Sequence, residues 1–125
     1  LASELGLSER VHFLGVRSDI AELLKASDYV VMSSHFEGLS LSSVEGMSVG
    51  KPFLASDVDG LREVVKGYGI LFPHEDSAAL AAEIMKLEEN REMYKSVAEA
   101  CRHRAADFDI AQMVDAYSRI YNQSI

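Results

Sequence analysis

Several residue types and sequence features are scarce in this chain, and each scarcity excludes a class of protein. One cysteine in 125 residues, Cys101, excludes an internal disulfide framework and fits a reducing compartment, so we expect a cytoplasmic protein. No apolar run approaches the roughly 20 residues of a membrane-spanning helix, and no charged-then-apolar leader opens the chain. Basic residues are also few. Twelve Lys and Arg against 20 Asp and Glu give a formal net charge of −8, which argues against a nucleic acid partner.

The remaining composition is that of an ordinary globular protein, with 48% hydrophobic and 26% charged residues. The length allows one core and is too short for two comfortable domains. We therefore predict a single domain over residues 1–125, with a core over about 9–88 and a helical tail over about 90–125. At the start, leucines at helical spacing precede Gly6 without a capping residue or an initiator methionine. We interpret this as the end of a helix whose beginning is missing, in a fragment of a longer protein.

Short apolar runs alternate with helical patterns along the first part of the chain. The runs predict four strands, at Val11–Leu14, Tyr29–Met32, Phe53–Ala55 and Gly69–Pro73. From Asp76 onward the hydrophobic period is helical. This order predicts an α/β fold in which a Rossmann-like, mostly parallel sheet is flanked by helices and followed by a helical C-terminal tail. Ligands of such sheets bind at the carboxyl ends of the strands, which places residues 15–17, 33–40 and 56–60 along one edge, called the rim below.

Capping residues mark the starts of the later helices. Asp76 is predicted to cap the helix that opens the C-terminal part. Gly60 opens a short helix in which Glu63 stands as the reciprocal carboxylate of a capping arrangement. In the last helix Asp109 is the predicted cap, and Gln112 reaches back to it. The side chains that this last helix is predicted to bury are Met113, Val114, Tyr117 and Ile120 or Tyr121.

The turn between the second strand and the next helix carries two carboxylates, Glu37 and Glu45, at the rim. Gly38 lets backbone approach a ligand closely, and the first N–H groups of a helix have no intrahelical acceptor. Together these features predict a site for a diphosphate or a sugar hydroxyl. Glu45 could accept two hydrogen bonds from a vicinal diol such as a ribose, with Glu37 on the other side of the phosphates. The alternative is two solvated carboxylates that stabilise a helix N-terminus by roughly 0.3–1 kcal/mol each, and spacing alone does not decide between the two.

The four histidines and the single cysteine are the other side chains with reactive chemistry. The histidines share no metal-ligand spacing, so the sequence predicts no metal site. His35 alone stands beside Glu37 on the rim and is a candidate substrate-binding residue. Cys101 falls in an apolar helical stripe, which predicts an inert core thiol rather than a nucleophile.

Glu37 and Glu45 are a weak motif alone, but three further segments follow them in a set order. These segments are Gly50-Lys51-Pro52, the loop at 55–60, and Arg62-Glu63-Val64-Val65. Together they resemble the C-terminal domain of glycosyltransferase family 4, a family of retaining, metal-independent transferases of the GT-B fold. The resemblance runs from the Val11 strand to Pro73 and more loosely to the last helix. The chain departs from the family pattern at Ser40, where glycine is usual, at Ser42, where proline is usual, and at Asp59, where the first of two paired glycines is usual.

The resemblance implies a role for each residue that matches the family motif. Glu45 holds the ribose hydroxyls of the nucleotide, and Glu37 lies at the donor sugar as the catalytic residue. The base meets main-chain groups of the segment Gly15-Val16. Backbone N–H groups for the diphosphate or the sugar come from Gly38, Leu39 and Ser40.

The implied substrate is a nucleoside-diphosphate sugar, with no metal ion or cofactor. A hexose passes to a glycan or lipid-linked acceptor with retention at the anomeric carbon, as in polysaccharide biosynthesis. Two strands whose loops carry an arginine and a lysine for the diphosphate are missing, as is the N-terminal acceptor-binding domain. We therefore expect the isolated chain to be inactive and to self-associate through unpaired sheet edges. Peripheral membrane contact of the full protein stays open, and so does the alternative of a non-catalytic nucleotide-binding or protein-interaction α/β module.

Overall fold

The computed structural model describes residues 1–123, and within them a parallel sheet is flanked by helices. This confirms the predicted α/β fold class. The elements, in chain order, are α1 Ile20–Ala26, β1 Val30–Met32, α2 Leu41–Ser48, β2 Phe53–Ser56, α3 Asp59–Val65, β3 Ile70–Phe72, α4 Ser77–Glu89, α5 Arg91–Ala106 and α6 Ile110–Gln123.

The sheet has the order β1-β2-β3, and both pairings are parallel. Val30 pairs with Phe53, and Leu54 pairs with Ile70. All four residues of β2 are buried, as expected for a central strand with helices on both faces. Because the three strands run in the same direction, their carboxyl ends and the loops that follow them share one edge of the sheet.

The core lies on both faces of β2, since its side chains alternate between the two faces. Phe53 and Ala55 join one cluster of buried residues from α2, α3 and α5, which includes Met47, Leu61, Val64, Val65 and Cys101. Leu54 joins the other cluster, with Phe72 from β3 and Leu87 from α4. Cys101 is fully buried, as predicted for a core thiol.

The predicted strand at Val11–Leu14 is absent, so the described residues contain three strands rather than four. Phe13 and Leu14 are largely exposed there. A strand is stabilised by hydrogen bonds to a neighbouring strand, and no strand within residues 1–123 pairs with this segment. At the beginning of the chain the structure has one turn, with a bond from the Leu5 amide to the Leu1 carbonyl, and Gly6 follows with a φ of 68°.

Helices α4 and α6 start after their predicted caps, Asp76 and Asp109, and α3 does not. The Asp76 carboxylate accepts from the Ala79 amide at 2.8 Å, which confirms its capping role. Helix α3 begins at Asp59, and its N-cap residue makes no side-chain capping bond, so the predicted reciprocal capping by Glu63 is wrong. The reason is that the N-cap is Val58 rather than Gly60, so Leu61 and not Glu63 lies three residues after it, and the Val58 amide donates to the Ser56 carbonyl at 2.9 Å.

The last helix, α6, differs from its prediction in two respects. The side-chain Nε2 of Gln112 donates to the Ala106 carbonyl at 3.0 Å rather than reaching back to Asp109. The Asp109 carboxylate does accept a backbone amide, that of Ala111, at 2.7 Å. No residue of α6 is buried. The residues predicted to be buried are 51–69% exposed, namely Met113, Val114, Tyr117, Ile120 and Tyr121. The apolar face of a helix is buried only where another element packs against it.

Arg104 on α5 closes the C-terminal end of α3. Its guanidinium donates to the carbonyls of Val64 and Glu63, both at 3.1 Å. The same group stacks on the rings of Tyr68 and Phe108, at 5.1 and 4.8 Å from the ring centroids.

None of the helices within residues 1–123 combines the length and the apolar character that crossing a membrane requires.

Candidate functional site

The loops that follow the three strands meet at the rim, as predicted from the parallel order. Ser56 at the end of β2 donates its hydroxyl to the Ser34 carbonyl at 2.6 Å, across 22 positions of sequence. The amide of Asp57 donates to the Phe72 carbonyl at 2.8 Å. Ser56 is almost fully buried, so these bonds lie where water does not compete well. They fix the loops of β1, β2 and β3 relative to one another.

Glu37 is a half-buried residue whose side chain is held by the loop in which it lies. The Ser34 hydroxyl donates to its carboxylate at 2.8 Å. Ser34 therefore makes two bonds, since its carbonyl accepts from Ser56 and its hydroxyl orients Glu37. The carboxylate that the family motif implies to be catalytic is thus tied to the end of β2 through one serine.

The backbone of the Glu37 loop packs directly on the first turn of α3. A methyl group added at Gly60 would lie 2.0 Å from the Gly38 carbonyl oxygen and 2.3 Å from that of Glu37. Such distances are far inside van der Waals contact, so only glycine allows this approach. Gly60 therefore sets how closely the loop of Glu37 approaches α3.

The N-terminus of α2 presents free backbone donors beside Glu37. Ser40 is the N-cap and is 6% exposed. Its hydroxyl and its carbonyl both accept from the Ser43 amide, at 3.3 and 3.1 Å. In the part of the chain that the structure describes, the amides of residues 38–42 donate to no protein acceptor. The space where a side chain at residue 38 would lie is open, so this helix start has the donors to bind an anion and room on that side.

Glu45 lies on the other flank of α2. It is exposed and lines a cavity of about 200 Å³ between α1 and α2, together with Ile20, Leu24 and Val49. Its carboxylate has no hydrogen bond or ion pair to another described residue. Glu37 lies in the loop before α2, whose backbone packs on α3, and Glu45 lies on α2 on the side that faces α1.

Some residues that the resemblance implies are not brought to this site. Gly15 has a φ of 66° with open space around it, and Val16 is fully exposed. No hydrogen bond within residues 1–123 joins this segment to the loop of Glu37, and the strand expected before it is absent. Leu39 is exposed beside the free amides, whereas His35 faces His74 in the loop after β3, with the two rings 4.8 Å apart.

The first two basic side chains after the loop of Glu37 in the sequence are those of Lys51 and Arg62, and neither is an unpaired cation at the rim. Arg62 binds Asp57 at 2.6 Å and Asp59 at 2.7 Å, and the hydrogen bond to Asp57 is the main reason that the pKa of Arg62 is raised. Lys51 follows the C-terminal end of α2, away from the rim. In the described part of the site, the groups that face an anion are therefore backbone donors rather than an unpaired cation.

Sequence patterns placed Ser34, Ser56 and Gly60 at the rim but missed their contacts, and they missed His74 as a residue of the rim. His74 follows β3 by two positions, so the rule that places ligands at the carboxyl ends of strands could have included it. The contacts of Ser34 and Gly60 carry no local signal, because their partners lie more than 20 positions away in the chain.

Comparison with known proteins shows the family and the fold of this chain. Residues 1–104 match the family described as glycosyl transferases group 1. EpsD of Bacillus subtilis (strain 168), whose name calls it a glycosyltransferase, is 37% identical over 124 residues, which are 98% of this chain and 32% of EpsD. The N,N'-diacetylbacillosaminyl-diphospho-undecaprenol alpha-1,3-N-acetylgalactosaminyltransferase of Campylobacter jejuni is 30% identical over 94% of this chain and 32% of its own length.

Among solved structures, Anabaena HepE in complex with UDP superposes with a TM-score of 0.90 at 30% identity, over 98% of this chain and 35% of HepE. HepE has also been solved with UDP-glucose, with a TM-score of 0.88. This chain spans about one third of the length of the curated relatives that it matches. The chain belongs to the glycosyl transferases group 1 family and has the fold of GT-B glycosyltransferases.

Proposed function

We propose that this chain is the donor-binding part of a retaining, metal-independent transferase of glycosyltransferase family 4. In the complete protein it moves a hexose from a nucleoside-diphosphate sugar to a glycan or lipid-linked acceptor. The observation that carries the proposal is the set of free amides at residues 38–42, which Glu37 precedes and Glu45 follows in the sequence. The UDP and UDP-glucose complexes of HepE support a uridine nucleotide as the first donor to test.

In this proposal the start of α2 binds the diphosphate. The amides of Gly38, Leu39 and Ser40 donate to phosphate or sugar oxygens, and the dipole of α2 favours the anion. Negative charge grows on the diphosphate as the bond to the sugar breaks. Donors that are already aimed at that charge stabilise the transition state more than the ground state.

The two carboxylates divide the recognition of the donor. Glu45, beside the cavity between α1 and α2, accepts hydrogen bonds from the two ribose hydroxyls. Glu37 lies on the α3 side and meets the sugar that is transferred. His35 contributes to the sugar side of the site, and the main chain of Gly15 and Val16 meets the base.

Isothermal titration of the chain with UDP, GDP and ADP tests the nucleotide site. We expect binding, with a preference among the three nucleosides. A Glu45→Gln variant loses about 10–100-fold in affinity for UDP, since a hydrogen bond to a charged group contributes about 1.5–3 kcal/mol. A Glu99→Gln variant on α5 is the matched control and leaves UDP binding unchanged. No binding of any nucleotide, or equal binding of all three, contradicts the proposal and favours a plain α/β module.

A second variant separates sugar recognition from nucleotide recognition. Glu37→Gln is expected to leave the affinity for UDP unchanged and to weaken the affinity for UDP-glucose, because Glu37 meets only the sugar. The measurement is a pair of titrations on the same preparation. Equal losses for UDP and UDP-glucose would show that Glu37 does not act at the sugar.

The remaining features are proposals for the chain alone and for the complete protein. We expect the chain alone to show no turnover of labelled UDP-glucose and to self-associate, which light scattering measures. Turnover by the chain, or a clean monomer at high concentration, would contradict these expectations. In a protein that joins this chain to its acceptor-binding domain, NMR of the product is expected to show the anomeric configuration of the donor, without added divalent metal.

A further inference from the structure

Three potential metal ligands meet at the rim, outside the site of the two carboxylates described above. His35 comes from the loop after β1, and His74 and Glu75 come from the loop after β3. The Nδ1 atom of His35 lies 2.8 Å from Nε2 of His74 and 3.6 Å from a carboxylate oxygen of Glu75. One ligand atom from each of the three lies within 4.8 Å of the others.

The fold brings these side chains together although 39 positions separate the two histidines. β1 and β3 both pair with β2, so their carboxyl ends lie on either side of Ser56. Both loops therefore reach over the end of β2. The cluster lies at the mouth of a cavity of about 340 Å³ whose lining includes His35, His74, Glu75 and Phe72.

We propose that His35, His74 and Glu75 form a binding site for a divalent first-row transition metal ion, with Zn²⁺ as the best match. Two imidazole nitrogens and one carboxylate oxygen are a ligand set that Zn²⁺ takes, and water completes a tetrahedron. Imidazole ligands disfavour Mg²⁺ and Ca²⁺, which prefer oxygen. The inference shares His35 with the proposed donor site and uses no other residue assigned to the donor, so Zn²⁺ titration tests it apart from nucleotide binding.

The three side chains must move to hold the ion. With Zn–N bonds of about 2.0–2.1 Å, two ligand atoms on a tetrahedral ion lie about 3.3 Å apart. The two histidine nitrogens must therefore separate by about half an ångström, and ligand atoms that lie as far as 4.8 Å apart must approach by up to about 1.5 Å. All three side chains are exposed, so they have the freedom to make this movement. A bound ion would join the loop that carries Glu37 to the loop after β3.

The test uses tag-free protein that has been dialysed against a chelator. Isothermal titration with Zn²⁺ and with Co²⁺ is expected to show one ion per chain, and Mg²⁺ is expected to show none. NMR is expected to show that Zn²⁺ shifts the ring signals of His35 and His74 and leaves those of His12 and His103 in place. Co²⁺ is expected to give the visible absorption of a four-coordinate complex.

Variants decide whether the ion uses this cluster. His74→Ala and Glu75→Gln are each expected to weaken Zn²⁺ binding by about tenfold or more, with unchanged circular dichroism. His103→Ala is the control, since His103 lies 3.9 Å from Glu99 on α5 and forms a surface pair outside the cluster. Absence of Zn²⁺ binding would reduce the cluster to a hydrogen-bonded histidine pair and overturn the proposal. Binding that persists in both cluster variants, or that is lost in His103→Ala, would overturn it as well.

Discussion

Gly60 is the residue at which a single methyl group has the most specific expected effect. Its added Cβ would lie 2.0 Å from the Gly38 carbonyl oxygen and 2.3 Å from that of Glu37, and real Cβ atoms essentially never approach other atoms closer than 3.0 Å. The loop of Glu37 must therefore withdraw from α3 by about 1 Å or more. Both neighbours are backbone atoms, so no side chain can rotate to relieve the clash.

The magnitude of the Gly60→Ala effect follows from two opposing contributions. An alanine inside a helix is favoured over glycine by up to about 1 kcal/mol. Overpacking costs typically 1–3 kcal/mol, and a backbone clash belongs at the upper end of that range. We expect a net loss of about 1–2 kcal/mol in the free energy of unfolding. For a chain of this length that lowers the melting temperature by roughly 4–8 °C.

The assay joins urea denaturation to NMR of the loop. Gly60→Ala is expected to shift the backbone signals of residues 34–42. It is also expected to speed hydrogen exchange at the Ser43 amide, which donates a hydrogen bond to the Ser40 hydroxyl in the unmodified chain. Gly69→Ala is the matched control, since its added Cβ would lie 2.6 Å from the Phe53 carbonyl, away from the rim. The control destabilises the chain and leaves those signals in place. If Gly60→Ala instead stabilises the chain as an ordinary helical alanine would, the inferred close packing is wrong.

Three further predictions concern stability. Arg104→Met is expected to lower the free energy of unfolding by about 1.5–3 kcal/mol, because it removes charged donors from the C-terminal end of α3. The control Arg119→Met, at an exposed position, is expected to change it little. Equal effects of the two variants in urea denaturation would contradict the capping role of Arg104. Burial first, and then donation of its hydroxyl to Glu88, raise the pKa of Tyr29 to about 12. A phenol whose pKa is higher in the folded chain stabilises the fold below its unfolded pKa of about 10 and loses that contribution as the pH rises toward 12. Tyr29→Phe should therefore reduce the fall in the free energy of unfolding between about pH 10 and 12. An unchanged dependence of that free energy on pH would refute the assignment. Burial raises the pKa of the Cys101 thiol above its ordinary value, so a thiol reagent should label Cys101 only as fast as the chain unfolds, and rapid labelling of the native chain would contradict this.

The succession of elements was predictable because each element carries its own local signal. β1, β2 and β3 are short apolar runs between turn residues, and α4 begins at the predicted cap Asp76. Two predictions were wrong, the strand at 11–14 and the buried face of α6, and they share one cause. The apolar patterns of 11–14 and of α6 show that these segments can be buried, but a pattern does not show what lies against them. Within residues 1–123 no strand pairs with the first segment, and no residue of α6 is buried.

The site was predictable to the extent that it is local in sequence. Glu37, Gly38, Ser40 and Glu45 lie within nine positions on one strand-turn-helix unit, and their order with the segments that follow named them as candidates. The contacts that position them are not local. Ser56 reaches Ser34 across 22 positions, and no periodicity or spacing records such a contact. The cluster of His35 with His74 was missed for the same reason, because metal-ligand spacing is sought over a few residues of sequence.

The two carboxylates differ in how firmly the chain holds them, and the difference fits their proposed roles. The Ser34 hydroxyl holds Glu37 in a loop that is tied to β2 and packed on α3. Glu45 is exposed and makes no side-chain bond to another described residue, so ordering it on a ligand costs up to about 2 kcal/mol of rotamer entropy. A group that meets the reacting sugar gains from being oriented before the ligand arrives. A group that binds ribose stabilises the ground state and the transition state equally. Conformational freedom of its side chain therefore lowers the affinity for the donor and leaves the rate of transfer unaffected.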